Sequence, residues 1–179
     1  MLLSGHTSPP VTRISRALNL KWLMTQIDSS APAFDLPATG GARLSLAGLE
    51  GSIIVLYFYP RDATPGCTTE SIDFTEKHSD FVACGAVVLG LSQDSIASHE
   101  KFKAKHEMPF ELLSDEAGDV CSAYDVIKLK KMYGKEFEGI ERSTFLIDDT
   151  GVLRKEWRKV KVPGHVDEVL AAARELSKA

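Results

Sequence analysis

Hydrophobic residues are grouped along the chain in runs of strand length, separated by amphipathic segments. The clearest run, residues 52–59, is dominated by β-branched and aromatic residues and is typical of a central strand covered on both faces. Shorter apolar runs predict strands at residues 86–91 and 110–113. Residues 144–147 and 152–157 flank an Asp-Asp-Thr-Gly sequence, which is a strong signal for an antiparallel hairpin.

Amphipathic segments predict four helices, in which apolar residues recur at helical spacing among charged ones. The predicted helices are residues 68–83, 95–106, 116–124 and 166–176. A Thr39-Gly40-Gly41 turn favours an extended entry segment and a hairpin near the start of the domain. Residues 128–139 are charged and contain glycine, so we predict a loop there.

The order of these elements predicts the fold class. Parallel crossovers, followed by a terminal hairpin and a helix, imply a mixed central sheet with helices on both faces. We therefore expect an α/β protein compatible with the thioredoxin-like class. Its domain is predicted to occupy residues 28–179.

Residues 1–27 differ in composition from the rest of the chain. They contain Arg13, Arg16 and Lys21, a Ser-Pro-Pro break and no acidic residue. The segment lacks the apolar run and cleavage site of a secretory signal, although an acid-poor leader with arginines can be a transit peptide. We expect either a flexible extension or an artefact of start-site choice, because translation could begin at Met24.

Charge and cysteine content narrow the possible functions. A net charge of −4 and an isoelectric point near 5.7 argue against a nucleic-acid partner. No apolar stretch approaches the roughly 18 residues that cross a membrane. The three cysteines have no metal-like spacing and the five histidines include no i, i+4 pair, so we expect no metal. The odd cysteine count suggests a reducing compartment such as the cytoplasm.

Cys67 lies where the predicted central strand gives way to a loop and then to a helix. Its sulfur should lie near the unpaired N–H groups and the positive dipole end of that helix, which favour a thiolate. Gly66 permits close backbone approach, so its N–H and that of Cys67 could bind an oxygen above the sulfur. Thr64 offers a hydroxyl that both donates and accepts, which suits a substrate with its own O–H group.

The residues around Cys67 resemble a known family. Pro60, Thr64 and Cys67 match the Pro-x-x-x-Thr-x-x-Cys signature of peroxiredoxins, and the Tyr-Phe-Tyr-Pro-x-Asp-x-Thr-Pro-Gly-Cys-Thr-Thr-Glu segment resembles the bacterioferritin comigratory protein, or peroxiredoxin Q, branch. The resemblance covers about residues 28–178 and includes Val88-Leu-Gly-Leu-Ser92, Leu112-Leu-Ser-Asp115 and Arg142-Ser-Thr-Phe-Leu-Ile-Asp148. It implies a peroxidase that reduces hydrogen peroxide and organic hydroperoxides. No motif in the sequence indicates a metal or an organic cofactor.

The resemblance also implies that Arg142 meets Cys67 across the sheet. A guanidinium keeps its charge at all working pH values, so it can hold the thiolate ionised and bind the peroxide oxygens. Glu70 is expected to orient Arg142, although an acid in the first turn can simply stabilise a helix. Pro60 would shield the sulfur from water. Attack by Cys67 on the terminal peroxide oxygen would leave a sulfenic acid.

Ile72 and Lys103 occupy the two positions at which relatives carry a resolving cysteine. Cys84 is a possible substitute, but a single helix would separate it from Cys67 by about 25 Å, against a limit of about 7 Å for a disulfide. Cys121 lies in an apolar pattern and is expected to pack. We therefore predict a one-cysteine cycle in which thioredoxin, glutaredoxin or glutathione supplies the thiol, with thioredoxin favoured by the resemblance. Relatives in this branch are often monomeric, which implies a monomer.

The sequence disfavours two other functions of a reactive cysteine and leaves a third open. Thiol–disulfide exchange is disfavoured because no Cys-x-x-Cys pair includes Cys67. A Cys-x5-Arg phosphatase is disfavoured because Asp73 stands six residues after Cys67. A peroxide-sensing or chaperone-like thiol protein with little turnover stays open on the sequence alone. A short basic segment contains Lys128, Lys130, Lys131 and Lys135. We expect it to be solvated surface. The alternative is that it docks an acidic face of a reductase.

Overall fold

The described part of the chain opens with a small antiparallel hairpin. The structure, a computed structural model, describes residues 25–179. Strands β1 (Asp35–Pro37) and β2 (Arg43–Ser45) pair around a turn in which Gly40 has a φ of 76°, a value that favours glycine. The hairpin predicted from the Thr-Gly-Gly sequence is confirmed.

One mixed sheet forms the centre of the domain. It contains β3 (Ile53–Phe58), β4 (Ala86–Ser92), β5 (Glu111–Ser114), β8 (Ser143–Ile147) and β9 (Leu153–Trp157). The strand order is β5-β4-β3-β8-β9. Strands β3, β4 and β5 are parallel, whereas β8 is antiparallel to both β3 and β9. The predicted mixed sheet and its C-terminal hairpin are confirmed.

Five α-helices connect the strands in the described residues. They are α1 (Pro65–Glu76), α2 (His78–Ala83), α3 (Ile96–Lys105), α4 (Asp119–Ala123) and α5 (His165–Ser177). The prediction of one helix over residues 68–83 is wrong, because Lys77, with φ of −95° and ψ of 3°, separates α1 from α2. Neither glycine nor proline marks this break in the sequence. No helix of the described part is long and apolar enough to cross a membrane.

Two hydrophobic cores cover the opposite faces of the sheet. Val55 and Tyr57 of β3 belong to the core that includes residues of α1, α2, α3 and α5. Leu56 and Phe58 belong to the other core, which includes residues of α4. Every residue of β3 is buried, as its unbroken apolar run predicts. Helices on both faces are therefore confirmed.

A second hairpin replaces the loop predicted at residues 128–139. Strands β6 (Ile127–Met132) and β7 (Lys135–Ile140) pair antiparallel and form a sheet of their own. Tyr133 and Gly134 at its tip both have positive φ, as a two-residue type I′ turn requires. The hairpin escaped prediction because its strands are largely solvated and their apolar residues are scattered among charged ones.

The segment expected to be an extension, residues 1–27, lies outside the described residues except for its last three. Within those three, the Thr25 hydroxyl donates to Glu156 and accepts from Arg158. The boundary at residue 28 stays a prediction.

Candidate active site

Cys67 occupies the first turn of α1. The helix follows the loop after β3 and begins at Pro65, whose fixed φ and missing N–H suit a first helical position. Thr64 precedes it with extended backbone, and its side chain does not cap the helix. Cys67 is only 1% exposed and lies beside the helix end at which backbone N–H groups lack helical partners. The sulfur is therefore placed where a negative charge is stabilised.

Arg142 reaches Cys67 because of the register of the sheet. Arg142 directly precedes β8, and Ser143, the first residue of β8, lies opposite Phe58, the last residue of β3. The guanidinium therefore stands at the end of β3, close to the start of α1. Its Nη2 donates to Cys67 Sγ over 3.3 Å. The meeting across the sheet that the resemblance implies is present in the structure.

Glu70 holds the other side of the guanidinium. Its Oε2 accepts a hydrogen bond from Nη1 of Arg142, and its side chain is fully buried. Burial raises the pKa of Glu70 to about 7, although the charge of Arg142 opposes this rise. Burial alone would lower the pKa of Arg142, but Glu70 and Cys67 outweigh it and raise the pKa. The arginine therefore stays charged beside the sulfur.

Gly66 leaves space for the same guanidinium. A β-carbon at this position would lie 3.1 Å from Nη2 of Arg142, which is tighter than ordinary van der Waals contact. The glycine therefore permits the close approach of a side chain of the protein.

Thr64 and Pro60 lie in the loop between β3 and α1, and both are half-buried. The Thr64 hydroxyl donates to the carbonyl of Arg61 over 2.9 Å. Its hydrogen is therefore used within the loop, and its oxygen retains acceptor capacity. The Thr64 hydroxyl, expected to donate to the substrate, donates to the protein backbone in this structure.

Asp62 and His99 form a buried pair that the sequence interpretation missed. His99 Nε2 lies 2.9 Å from the carbonyl oxygen of Leu113 and must donate to it, and Nδ1 lies 2.8 Å from Asp62 Oδ2. Burial would raise the pKa of Asp62, but hydrogen bonds from His99 and Tyr59 outweigh it and lower the pKa. Both ring nitrogens of His99 are therefore engaged in hydrogen bonds, one with the backbone and one with the Asp62 carboxylate.

This pair ties the loop that carries Thr64 to α3 and β5. Ser98 also donates to Asp62, and the N–H of Asp62 donates to Asp94. Potential metal-ligand atoms of Asp62, Asp94 and His99 lie within 4.8 Å of one another, but these protein hydrogen bonds already engage them. The only signal in the sequence was the aspartate of the Tyr-Pro-x-Asp segment, because nothing links His99 to it by spacing.

His165 lies behind Glu70 and was also missed. Its Nε2 is 2.8 Å from the hydroxyl oxygen of Thr144 and 4.0 Å from Oε1 of Glu70. That carboxylate oxygen is buried and has no hydrogen-bond partner among the described residues. Burial, together with the charge of Arg142, lowers the pKa of His165 to about 4. His165 is therefore neutral at neutral pH.

The other two cysteines are placed away from Cys67. Cys84 follows α2, next to Gly85, whose carbonyl accepts from Ile53 at the start of β3. Cys67 lies near the other end of β3, so the two cysteines are separated by about the length of that strand, roughly 17 Å. The expected separation along a single helix is wrong, because the helical structure breaks at Lys77 between α1 and α2. Cys121 is fully buried in the opposite core, where burial and Asp115 raise its pKa.

The chain is similar to known proteins in sequence and in fold. A profile of the AhpC/TSA family matches residues 27–156. The peroxiredoxin Bcp of Bacillus subtilis is 51% identical over 152 residues, which cover 85% of this chain and 97% of that protein. A structure of the Xanthomonas campestris bacterioferritin comigratory protein, studied for alkyl peroxide reduction, is 48% identical with a TM-score of 0.77 and covers 80% of this chain and 92% of its own. A cysteine-to-serine variant of Xylella fastidiosa PrxQ is 41% identical with a TM-score of 0.80 and covers 84% and 96%.

Proposed function

Because this chain belongs to the AhpC/TSA family and is a peroxiredoxin, we propose that Cys67 attacks the peroxide and that a thiol from another molecule regenerates it. The enzyme is a thiol peroxidase, so a hydroperoxide and a thiol reductant are its two substrates. The observation that carries the assignment of Cys67 is its contact of 3.3 Å with Nη2 of Arg142. Among the described cysteines, it alone combines a helix start with a neighbouring guanidinium.

The proposed first step transfers one oxygen atom to sulfur. The Cys67 thiolate attacks the terminal peroxide oxygen, the S–O bond forms as the O–O bond breaks, and the remaining oxygen leaves as hydroxide or alkoxide. That anion takes up a proton and becomes water or an alcohol, and Cys67 becomes a sulfenic acid. The proton lost when the thiol ionised balances the proton gained by the leaving group.

Five neighbours of Cys67 assist this step in the proposal. Arg142 stabilises the thiolate and the charge that develops on the peroxide oxygens. The N–H groups of Gly66 and Cys67 contribute at the helix start, and the free acceptor capacity of Thr64 suits the O–H of the peroxide. Pro60 limits the access of water. Glu70 acts through Arg142 by fixing the orientation of its guanidinium.

The proposed second step uses an external thiol. It attacks the sulfenic sulfur, water leaves, and a mixed disulfide forms, which a second thiol then reduces. The strand-length separation of Cys84 and the burial of Cys121 in the opposite core support this route. Thioredoxin is the proposed reductant, with glutaredoxin and glutathione as alternatives.

We also propose that the enzyme acts as a monomer in the cytoplasm. The contacts among Cys67, Arg142 and Glu70 are all made within one chain, so a second copy is not needed to complete the site. The odd set of free cysteines suits a reducing compartment.

Serine variants test the proposed cycle. Cys67→Ser is expected to abolish peroxide consumption in an assay with thioredoxin, thioredoxin reductase and NADPH, whereas Cys84→Ser and Cys121→Ser are expected to retain it. Turnover in Cys67→Ser would overturn the assignment of the attacking sulfur. Loss of turnover in Cys84→Ser, with the fold intact, would instead overturn the one-cysteine cycle.

A further inference from the structure

The hairpin of β6 and β7 exposes large apolar side chains. Met132 is 57% exposed and Phe137 is 41% exposed, and Tyr133 at the tip is almost fully exposed. Neither strand pairs with a third strand in the described part of the chain. Exposed apolar residues grouped on one element are typical of an interaction site.

The register of the hairpin separates its two faces. Lys130 lies opposite Phe137, and Met132 lies opposite Lys135, so these four side chains share one face. A β-carbon on Gly139 would touch the side chains of both Lys130 and Phe137, which places them together on that face. We call Lys130, Met132, Lys135 and Phe137 the basic face.

The carboxylates of the hairpin lie on the opposite side. Glu136 is opposite Lys131 and Glu138 is opposite Leu129, and Lys131 forms an ion pair with Glu136. The basic face therefore combines apolar and cationic groups without an acid. Lys135 has no ion-pair partner among residues 25–179.

The basic face adjoins the active site. Strand β7 ends at Ile140, two residues before Arg142, and Lys130 Nζ donates to the carbonyl of Ile140. Arg142 in turn donates from Nη2 to Cys67 Sγ over 3.3 Å, so the end of the hairpin nearest Ile140 lies near the sulfur. A molecule seated on the basic face would therefore lie beside Cys67.

The size and charge of the basic face favour a protein occupant. Lys135 is five register positions from Ile140, or about 17 Å, so an occupant that contacts Lys135 and reaches Cys67 has macromolecular dimensions. A second copy would bring two cationic faces together. Residues 1–24 contain three basic and no acidic residues, so their charge does not complement this face either.

Resting on the proposed external-thiol cycle, we propose that the basic face docks the protein that reduces oxidised Cys67. The partner is a small protein with a redox thiol whose surroundings are apolar and bordered by carboxylates. Apolar contacts with Met132 and Phe137 hold it, and Lys135 attracts its carboxylates. Docking places its thiol at the Cys67 sulfenic acid.

Two matched pairs of variants test this proposal in a Cys84→Ser/Cys121→Ser background. Lys135→Glu alters the basic face, whereas Lys131→Glu makes the same change on the opposite face. Phe137→Ser and Leu129→Ser form the apolar pair. Each protein is oxidised with one equivalent of hydrogen peroxide and mixed with reduced thioredoxin, or with reduced glutaredoxin if thioredoxin fails, and in parallel with dithiothreitol.

The basic-face variants should be reduced by the protein at least tenfold more slowly than the background enzyme. Their reduction by dithiothreitol and their oxidation by hydrogen peroxide should be unchanged. The opposite-face controls should match the background enzyme, and added salt should slow the background enzyme more than Lys135→Glu.

If the basic-face variants and their opposite-face controls slow reduction equally, or if neither slows it, docking on the basic face is wrong. The external-thiol cycle would be unaffected by that result. A change confined to the oxidation of a long-chain anionic hydroperoxide would overturn docking as well, because the face would then bind substrate. If the background enzyme is reduced by dithiothreitol but by neither protein, docking of a protein reductant is wrong. If it is reduced by no thiol at all, the external-thiol cycle itself is wrong.

Discussion

Gly66 is the residue at which the geometry of the site is most sensitive to a single carbon atom. An added β-carbon would lie 3.1 Å from Nη2 of Arg142, the atom that also contacts Cys67. The guanidinium would have to move away from the sulfur. We therefore expect the activity of the enzyme to be sensitive to a side chain at position 66.

Gly66→Ala is expected to lower the rate constant for oxidation of Cys67 by hydrogen peroxide by about tenfold. This loss is smaller than the roughly 100-fold or greater loss that follows complete removal of a stabilising donor, because Arg142 is displaced and not removed. Gly66 does not have a positive φ, and alanine favours helices more than glycine does, so the melting temperature should not fall. Competition kinetics and thermal unfolding measure the two effects. A wild-type rate constant in this variant would contradict the proposed role of Arg142.

Glu70 and His165 make opposite contributions to stability as the pH changes. The pKa of Glu70 is raised to about 7 in the folded protein. Its contribution to the free energy of unfolding is therefore present at low pH and is lost as the pH rises toward 7. The pKa of His165 is lowered to about 4, so stability falls as the pH drops from about 6.5, where the unfolded state takes up the proton. The two effects partly cancel in the wild-type protein.

Single substitutions should separate these effects. His165→Gln is expected to remove a loss of about 3 kcal/mol between pH 6.5 and 4, since each pKa unit corresponds to about 1.4 kcal/mol. Glu70→Gln should instead make stability fall more steeply as the pH drops. Urea unfolding at a series of pH values measures both effects. If the stability of the two variants changed with pH in the same way, the opposite pKa shifts of Glu70 and His165 would be contradicted.

At the scale of elements, the central strand and the C-terminal hairpin could be predicted because burial leaves a clear apolar pattern. The β6-β7 hairpin could not be predicted, because most of its side chains face solvent. A hydrophobic pattern marks a strand only where one face of the strand is buried. The break at Lys77 carries no glycine or proline signal. The position of Arg142 beside Cys67 came from family resemblance, whereas its physical cause, the register of β8 on β3, is visible only in the fold.

The loop before α1 depends on a contact between elements that are distant in sequence. Asp62 and His99 stand 37 positions apart and are joined by a buried hydrogen bond. Removal of one partner leaves the other polar side chain buried without that hydrogen bond, which typically costs about 1–3 kcal/mol. The active-site loop should then lose its attachment to α3.

Asp62→Asn and His99→Gln are each expected to destabilise the protein by about that amount and to slow oxidation of Cys67. The double variant Asp62→Asn/His99→Gln should recover part of the stability, because neither original side chain is then left buried without its partner. Chemical denaturation measures the cycle, and Arg43→Gln, at an exposed ion pair with Asp35, is a control that should change stability little. Strict additivity of the two substitutions would contradict a direct interaction between the two side chains.

At the scale of the whole molecule, the sheet determines which cysteines can meet. Cys67 belongs to the core that includes α1, and Cys121 belongs to the core on the opposite face. Cys84 lies near the far end of β3. The fold therefore separates the three thiols, which supports the proposal that a thiol from another molecule reduces oxidised Cys67.

Intact-mass analysis after one equivalent of hydrogen peroxide, with and without a sulfenic-acid trap, tests this account most directly. We expect a gain of one oxygen atom per chain without the trap, and one trap adduct located on Cys67 with it, both absent in Cys67→Ser. Rapid loss of two hydrogen atoms per chain, with no adduct, would reveal an internal disulfide and contradict the one-cysteine cycle.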